Sequence, residues 1–402
     1  MTTVEQATEI VLAESNDYGT ESIYFENALG RVLAKDLRAD RDLPPYNRVT
    51  MDGIAISFAA FENGIRSFKI IATQAAGETT FEINHPSECI EIMTGAALPS
   101  TTDTVIRYED LEIKDGIATV QTEAVTKGQS IHLKGIDKSK GDLVAAAKQL
   151  ITPALISMAA SVGKSDLLVK QFPKVVIISS GDEVVNIDET PNAFQIRRSN
   201  NYTIKAALQQ YCINAEMIHI PDDPVITKQE IKKCLQQYDV IILSGGVSEG
   251  KFDYIPKALE ENAVKKLFHK VQQRPGKPFW FGKHKNGVLV FAFPGNPVST
   301  FMCLRRYFCV WLEQSLGIAK QKMFAALEED FVFTPALQYF LQVKLNVNEK
   351  GQLLAKPVAG NGSGDFANLL DTDAFMELPL EQNNFTKGEV FRVWPFVVNG
   401  QW

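Results

Sequence analysis

The sequence predicts a multidomain α/β plus β protein, with a parallel-sheet α/β domain between about Lys174 and Leu312 and β-rich segments on either side. Continuous Val/Ile runs alternate with amphipathic stretches through the middle of the chain, the pattern of a sheet covered on both faces. The flanking segments are short, apolar-alternating and broken by Gly, Asn, Asp and Pro, as strands and turns are. At 402 residues the chain is long for one core, which points to roughly two to four domains.

In chain order, Thr3 to Glu14 spaces Val4, Ala7, Ile10, Val11 and Leu12 near the helical period, with Thr2 available to cap and Glu5 three residues beyond it. After the turn Leu43-Pro44-Pro45-Tyr46-Asn47, the segments FKIIATQ, CIEIMTGA, DTVIRYED and ATVQT read as a β-rich domain from Asp52 to about Asp142. Pro153 to Val162 is a second helical stretch. Then KVVIISS (174–180) reads as a strand, Asn200 to Tyr211 as a helix, AEMIHI as a strand and Ile226 to Gln237 as a helix. DVIILSG (239–245), the helix Tyr254 to Glu261, GVLVFAF (287–293) and a long helix from Pro297 to about Leu316 complete the alternation. Beyond Phe324, YFLQVKLNV, QLLAKPV and VFRVWPF alternate with NEKG, GNGSG and TKGE, so the chain closes in a small all-β domain.

Composition narrows the function classes. Hydrophobic residues make up 45% and charged residues 22%, as in a soluble globular protein. A net charge of −7 argues against broad nucleic-acid binding but leaves room for a local anion pocket. Five dispersed cysteines without a CxxC fit free thiols in a reducing compartment, and five scattered histidines argue against a zinc site. The opening MTTVEQATEIVLAES lacks a basic start and apolar run, and no segment reaches about 18 apolar residues, so a cytoplasmic location without membrane insertion is expected.

The chemistry gathers at three turns that follow strands: Ser179-Ser180-Gly181-Asp182-Glu183, Ser244-Gly245-Gly246-Val247-Ser248 and Phe293-Pro294-Gly295-Asn296-Pro297. In a parallel sheet all three lie at the carboxyl edge, where open α/β folds bind ligands. Small residues let backbone N–H groups approach an anion, and Pro297 near the first helical position leaves free donors at the positive end of the helix dipole. Each turn alone is punctuation; three on one edge make a site. Glu183, Asp222 and Asp253 share that edge and offer the hard oxygen ligands that a magnesium–phosphate complex needs. Helix capping is the other use for Asp223 and Asp253. Lys277 can supply countercharge or sit in solvent.

These residues carry a resemblance. Ser244 to Ser248 with Asp253-Tyr254, Arg274-Pro275-Gly276-Lys277-Pro278 and Pro294 to Pro297 occur in the order and spacing of the molybdopterin molybdotransferase family, which includes the E domain of gephyrin. Met51-Asp52-Gly53-Ile54-Ala55 is similar to its MDGYA signature, with Ile for Tyr. Ile92-Met93-Thr94-Gly95-Ala96 resembles a second signature, and Gly135-Ile136-Asp137 with Gly141-Asp142 a third. The match spans nearly the whole chain.

The resemblance implies four parts: an elongated helical linking domain (1–50 with 143–172), a β-rich domain (51–142), a Mog-like molybdopterin-binding α/β domain (173–323) and a C-terminal β-barrel domain (324–402). It implies a Mg-dependent enzyme that inserts molybdenum from molybdate into adenylylated molybdopterin with release of AMP. It further implies a homodimer, with a molybdopterin adenylyltransferase and molybdoenzyme apoproteins as partners. By position, Asp52, Thr94, Asp137, Glu183, Asp222 and Asp253 are implied to be catalytic, the last three also holding metal. Ser180, Gly181, Ser244, Gly245, Gly246, Ser248, Lys270, Arg274, Gly276, Lys277, Pro294, Gly295, Asn296, Pro297 and Ser363 are implied to surround the substrates.

One segment departs from the family pattern. Arginines common around 336–343 are here apolar or amide, including Leu337 and Gln342, so no guanidinium there grips an oxyanion through paired N–H bonds. Either Lys344 or Lys356 substitutes, or molybdate binds weakly, or full activity is lost. Adenylylation of molybdopterin and a non-catalytic binding scaffold are the alternative functions.

Overall fold

The computed structural model describes residues 1–246, 254–319, 321–358 and 360–397. At its centre six strands pair in the order Glu216–Ile220, Val175–Ser180, Val240–Ser244, Leu289–Phe293, Trp280–His284, Val264–His269. The first four are parallel, and Trp280–His284 and Val264–His269 pair antiparallel. The sheet is therefore mixed where the sequence predicts a parallel one. The connection between the last two strands spans only residues 270–279, too short for a helical crossover, so they pair antiparallel. Exposed Lys265 and Lys266 blunt the resulting edge.

The continuous apolar strands serve two cores. Val175, Ile177, Ile242 and Phe291 face Ile204 and Leu208 of the helix Asn200–Gln209 and the helical run that begins at Pro297. Val176, Ile178, Ile241 and Val290 face Ile231 and Leu235 of Pro224–Gln237 and Ile255 and Leu259 of Tyr254–Glu261. Side chains alternate between faces, so a strand buried on both sides is apolar at every position. The run from Pro297 is α-helical to Cys303, a π-turn over Leu304–Phe308, and α-helical again over Cys309–Leu316.

The N-terminal helix Val4–Ala13 starts one residue later than Thr2 capping would give. Thr3 Oγ1 accepts from the Gln6 N–H at 3.2 Å and Gln6 Oε1 accepts from the Thr3 N–H at 3.1 Å, a capping box. Thr2 is held extended instead, donating its N–H to Lys270 O. Residues on both sides of the β-rich segment build one shared core, with Ala28, Leu33 and Leu37 packed among Ala145, Leu155 and Val169. Between them lies a second six-stranded sheet, ordered 104–107, 53–56, 88–92, 67–74, 117–120, 111–114. At the C-terminus Gln338–Val347, Leu353–Pro357, Met323–Leu327, Val390–Pro395 and Ala374–Leu378 pair in that order, and the last returns to the first, closing a barrel.

Candidate active site

The carboxyl edge of the parallel strands opens into a cavity of about 700 Å3. Ser180 and Glu183 come from the first turn, Ser244 and Gly245 from the second, and Gly295, Asn296 and Pro297 from the third. Register compels this convergence, because Ser179 pairs with Ser244 and Ser244 with Phe293. Asn200 fastens two of the turns: its Nδ2 donates to Ser244 Oγ at 2.9 Å and to Gly295 O at 2.7 Å. Gly181 has φ +119°, and a Cβ there would lie 2.3 Å from Glu183 Oε2. The Glu183 carboxylate thus occupies the space a side chain at 181 would take. Asp222 N donates to Asp182 Oδ1 at 3.1 Å, and Asp182 N donates to Asp222 Oδ2 at 3.4 Å, so the first turn and the neighbouring Asp222 loop are stitched reciprocally. Asp223 caps its helix, accepting from Val225 and Ile226 N–H groups. Arg197 and Arg198 add positive charge to the wall. His219 Nδ1 lies 3.0 Å from Ser179 Oγ, and burial, aided by the Arg198 charge, holds its pKa below the ordinary value.

A second cavity of about 440 Å3 adjoins the first. Arg274, Gly276, Lys277, Pro294 and Ser363 line it, and Asn296 belongs to both walls. Asn296 Nδ2 donates to Ser363 Oγ at 2.8 Å, and Val298 N donates to Ser363 O at 3.1 Å. Ser363 therefore consumes one of the helix-end donors that the sequence left free for an anion. Leu337 and Gln342 stand on this second wall, and Gln342 Oε1 is buried without a partner. Lys344 and Lys356 do not line it; Lys344 pairs with Asp373 at 2.9 Å and Lys356 with Glu329 at 3.7 Å. Neither replaces a missing arginine, so among the described residues Arg274 and Lys277 are the cationic side chains of this wall.

Asp52, Thr94 and Asp137 lie in the β-rich part. The Thr94 N–H donates to Asp52 Oδ1 at 2.6 Å and holds the Asp52 carboxyl below the usual range. His132 Nε2 lies 3.0 Å from both oxygens of Asp137. The segment around Tyr46 gathers the two groups: Tyr46 Oη donates to Gly95 O at 3.3 Å, and Asp137 N donates to Leu43 O at 3.0 Å. Gly53 is required by close approach, since a Cβ would sit 1.9 Å from Ile106 O. Among the described residues, no hydrogen bond or ion pair joins this cluster to the two cavities. Tyr46, Met51, Leu133 and Ile136 are exposed around it, and Phe194 (90% exposed), Ile196, Phe366 and Leu370 (86%) are exposed at or near the larger cavity.

Gly181, Gly246 and Asp222 flank the larger cavity without lining it, and Lys270 lies on neither wall. Ser248 and Asp253 fall outside the described residues. Among the described residues no three His, Cys, Asp or Glu side chains converge on a metal position, and no helix is long and apolar enough to cross a membrane. Sequence reasoning missed Asn200, Asn201, Arg197 and Arg198. The polar run Arg197-Arg198-Ser199-Asn200-Asn201 before a helix was the available signal. Asn201 is 2% exposed, stands on the larger cavity's wall and has neither amide atom paired.

Three family models match the chain: MoeA N-terminal region (domain I and II) over 2–163, probable molybdopterin binding domain over 176–314, and MoeA C-terminal region (domain IV) over 325–396. A molybdopterin molybdenumtransferase from Synechocystis is 36% identical over 97% of this chain and 99% of its own. One from Staphylococcus aureus is 27% identical over 96% of this chain and 93% of its own. The crystal structure of a molybdopterin biosynthesis MoeA protein from Pyrococcus horikoshii superposes with a TM-score of 0.82 at 29% identity, covering 100% of both chains. With its glycine-turn edge, its closed C-terminal barrel and this full-length similarity, the chain belongs to the molybdopterin molybdenumtransferase family.

Proposed function

We propose that this chain is a molybdopterin molybdotransferase that inserts molybdenum from molybdate into adenylylated molybdopterin and releases AMP. The observation that carries this reading is Asn296 on the shared wall of two cavities of different chemistry. An adenylylated pterin is long and carries phosphates, and the larger cavity offers serine hydroxyls, glycine turns and two arginines to it. Molybdate is a compact dianion that needs cations and hydroxyl donors, which Arg274, Lys277 and Ser363 supply next door.

In this reading Ser180, Ser244, Gly245, Gly295 and Asn296 orient the phosphates, and Lys277 and Arg274 hold the oxyanion. Lys270 lies off both walls and acts by positioning the 270–279 connection that carries Arg274 and Lys277. The carboxylates of Glu183 and Asp222, with Asp253, are hard oxygen donors that suit magnesium. Bound there, the ion would supply charge neutralisation at the anhydride oxygens. Asp52, Thr94 and Asp137 belong to the same active centre through a homodimer. Their separation from the cavities within one chain, and the exposed apolar residues around both regions, support that arrangement. The chain divides into a helical linking domain (1–50 with 143–172), a β-rich domain (51–142), an α/β domain (173–323) and a β-barrel domain (324–402), works in the cytoplasm, and exchanges its substrate and product with an adenylyltransferase and molybdoenzyme apoproteins.

A non-catalytic scaffold is the competing reading, favoured by Leu337 and Gln342 on the second wall. Purified protein supplied with adenylylated molybdopterin, molybdate and magnesium separates the two. Release of AMP with formation of cofactor is expected; tight binding of the pterin without AMP would leave the scaffold.

A further inference from the structure

A third cavity, of about 520 Å3, lies between the helical run 297–316 and the outer face of the barrel, and shares no residue with the two already described. Strand alternation creates it. On Val390–Pro395, Phe391 and Val393 pack in the barrel core, so Arg392 and Trp394 point outward toward the helix. Across from them, the π-turn carries Arg305 and Arg306 into the same seam, where both are buried. Guanidinium carbons of Arg306 and Arg392 lie 4.5 and 3.8 Å from the Trp394 ring.

The carboxylates of this seam and the Pro395 carbonyl already have donors. Arg305 Nε donates to Pro395 O at 2.9 Å. Glu313 accepts the Tyr211 hydroxyl at 2.6 Å. Glu377 accepts from Gln338 at 2.6 Å, from Trp394 at 2.7 Å and from Arg306 Nη2 at 3.3 Å. Arg306 Nε and Nη1 remain buried without partners. Among the described residues, no carboxylate lies within ion-pair distance of Arg392, and Lys322 adds a further cation to the wall. Among the described residues, the cations around this half-buried crevice (Arg305, Arg306, Lys322 and Arg392) outnumber the carboxylates beside them (Glu313 and Glu377), an imbalance that favours a counter-anion.

We propose that this crevice is an anion-binding site for a small organic anion, whose phosphate or carboxylate head pairs with Arg392 and whose apolar part lies against Val310, Ile318 and Met323. The apolar wall and a volume well above that of an inorganic oxyanion favour an organic ligand. Burial and the neighbouring Arg306 charge pull the Arg392 pKa below the ordinary guanidinium value, in keeping with a cation short of partners.

Thermal melting of the full chain at constant ionic strength, with phenyl phosphate, benzoate or inorganic phosphate, tests this. The wild type should melt higher with phenyl phosphate or benzoate, and the larger of the two shifts identifies the head group. Arg392→Met should lose that shift while melting, without ligand, at the same temperature or higher, because a repelled cation has been removed. Phosphate bound at the glycine turns contributes equally to both proteins, so the difference between them is the readout. Equal shifts in both proteins would overturn the site. A response to inorganic phosphate as large as that to phenyl phosphate would overturn its organic character. If Arg392→Met does not fold, Arg392→Gln gives the same comparison, and a ligand-free melt several degrees below wild type in both variants would mark Arg392 as structural and sink the proposal.

Discussion

The cavity at the ends of the parallel strands is built from three strand-to-helix turns and the 184–201 segment that follows the first of them, whereas its neighbour across Asn296 is assembled from 273–278, 294–299, 337–342 and 360–363. The first is shaped mainly by backbone: register brings the turns level, and Gly181 leaves room for the carboxylate of Glu183. The second is shaped by side chains meeting across the seam between sheet and barrel. Damage to the first should therefore be geometric and large, and damage to the second should appear as altered affinity for one small ligand.

The largest effect is expected at Gly181. Alanine there meets both the left-handed backbone and the Glu183 carboxylate at 2.3 Å. Displacing the turn should lower AMP release by about 100-fold, the scale of losing a preorganised anion contact, with little change in far-ultraviolet circular dichroism. A loss of only a few-fold would mean that the seat of Glu183 is not needed for turnover. Asn296→Ala comes next. It cuts the tie to Ser363 at the shared wall and should weaken nucleotide and molybdate alike, each by about tenfold, the scale of a lost hydrogen bond and its knock-on strain. Weakening of one ligand alone would separate the two cavities functionally. Gln342→Arg is the smaller, constructive change. It restores a guanidinium beside Lys277 and should improve the KM for molybdate by roughly fivefold, about one charge-assisted hydrogen bond, without altering AMP binding.

The difference between the cavities also explains what could be read from the chain. Val175–Ser180, Val240–Ser244 and Leu289–Phe293 announce themselves as buried strands, and a parallel register then forces the turns after them together. Strand-end chemistry is local in sequence and therefore legible. The antiparallel pair 264–269 and 280–284 is not legible because charged Lys265 and Lys266 interrupt the edge strand, and a register shift between Lys266 and Phe268 separates Val264 of one core from Phe268 of the other. Asn200 escaped for a related reason: an asparagine at a helix start has a sufficient local role, and its bonds to Ser244 and Gly295 exist only in three dimensions. The second wall could not be assembled from spacing at all, since its segments are up to about ninety residues apart and meet through the barrel's closure. For the same reason the pairing of Lys344 with Asp373, which removes it as a substitute for arginine, depends on the long-range strand register that closes the barrel, which the sequence does not display.

The smallest expected effect concerns His219, which contacts Ser179 behind the wall of the larger cavity. Burial and Arg198 disfavour its charged form, while Asp182, Asp222 and Glu183 pull the other way, and the net shift is downward. The unfolded chain then binds a proton at this position more readily than the folded one. Its contribution to stability is present above the unfolded value of about 6.5 and is lost as pH falls through the lower folded value. His219→Asn keeps a polar partner for Ser179 but does not titrate. Urea melts at pH 7.5 and at pH 5.5 should therefore show the wild type losing more stability than the variant over that interval. Parallel losses would show that the surrounding carboxylates cancel the burial of the ring, leaving its charged form no worse off in the folded chain than in the unfolded one.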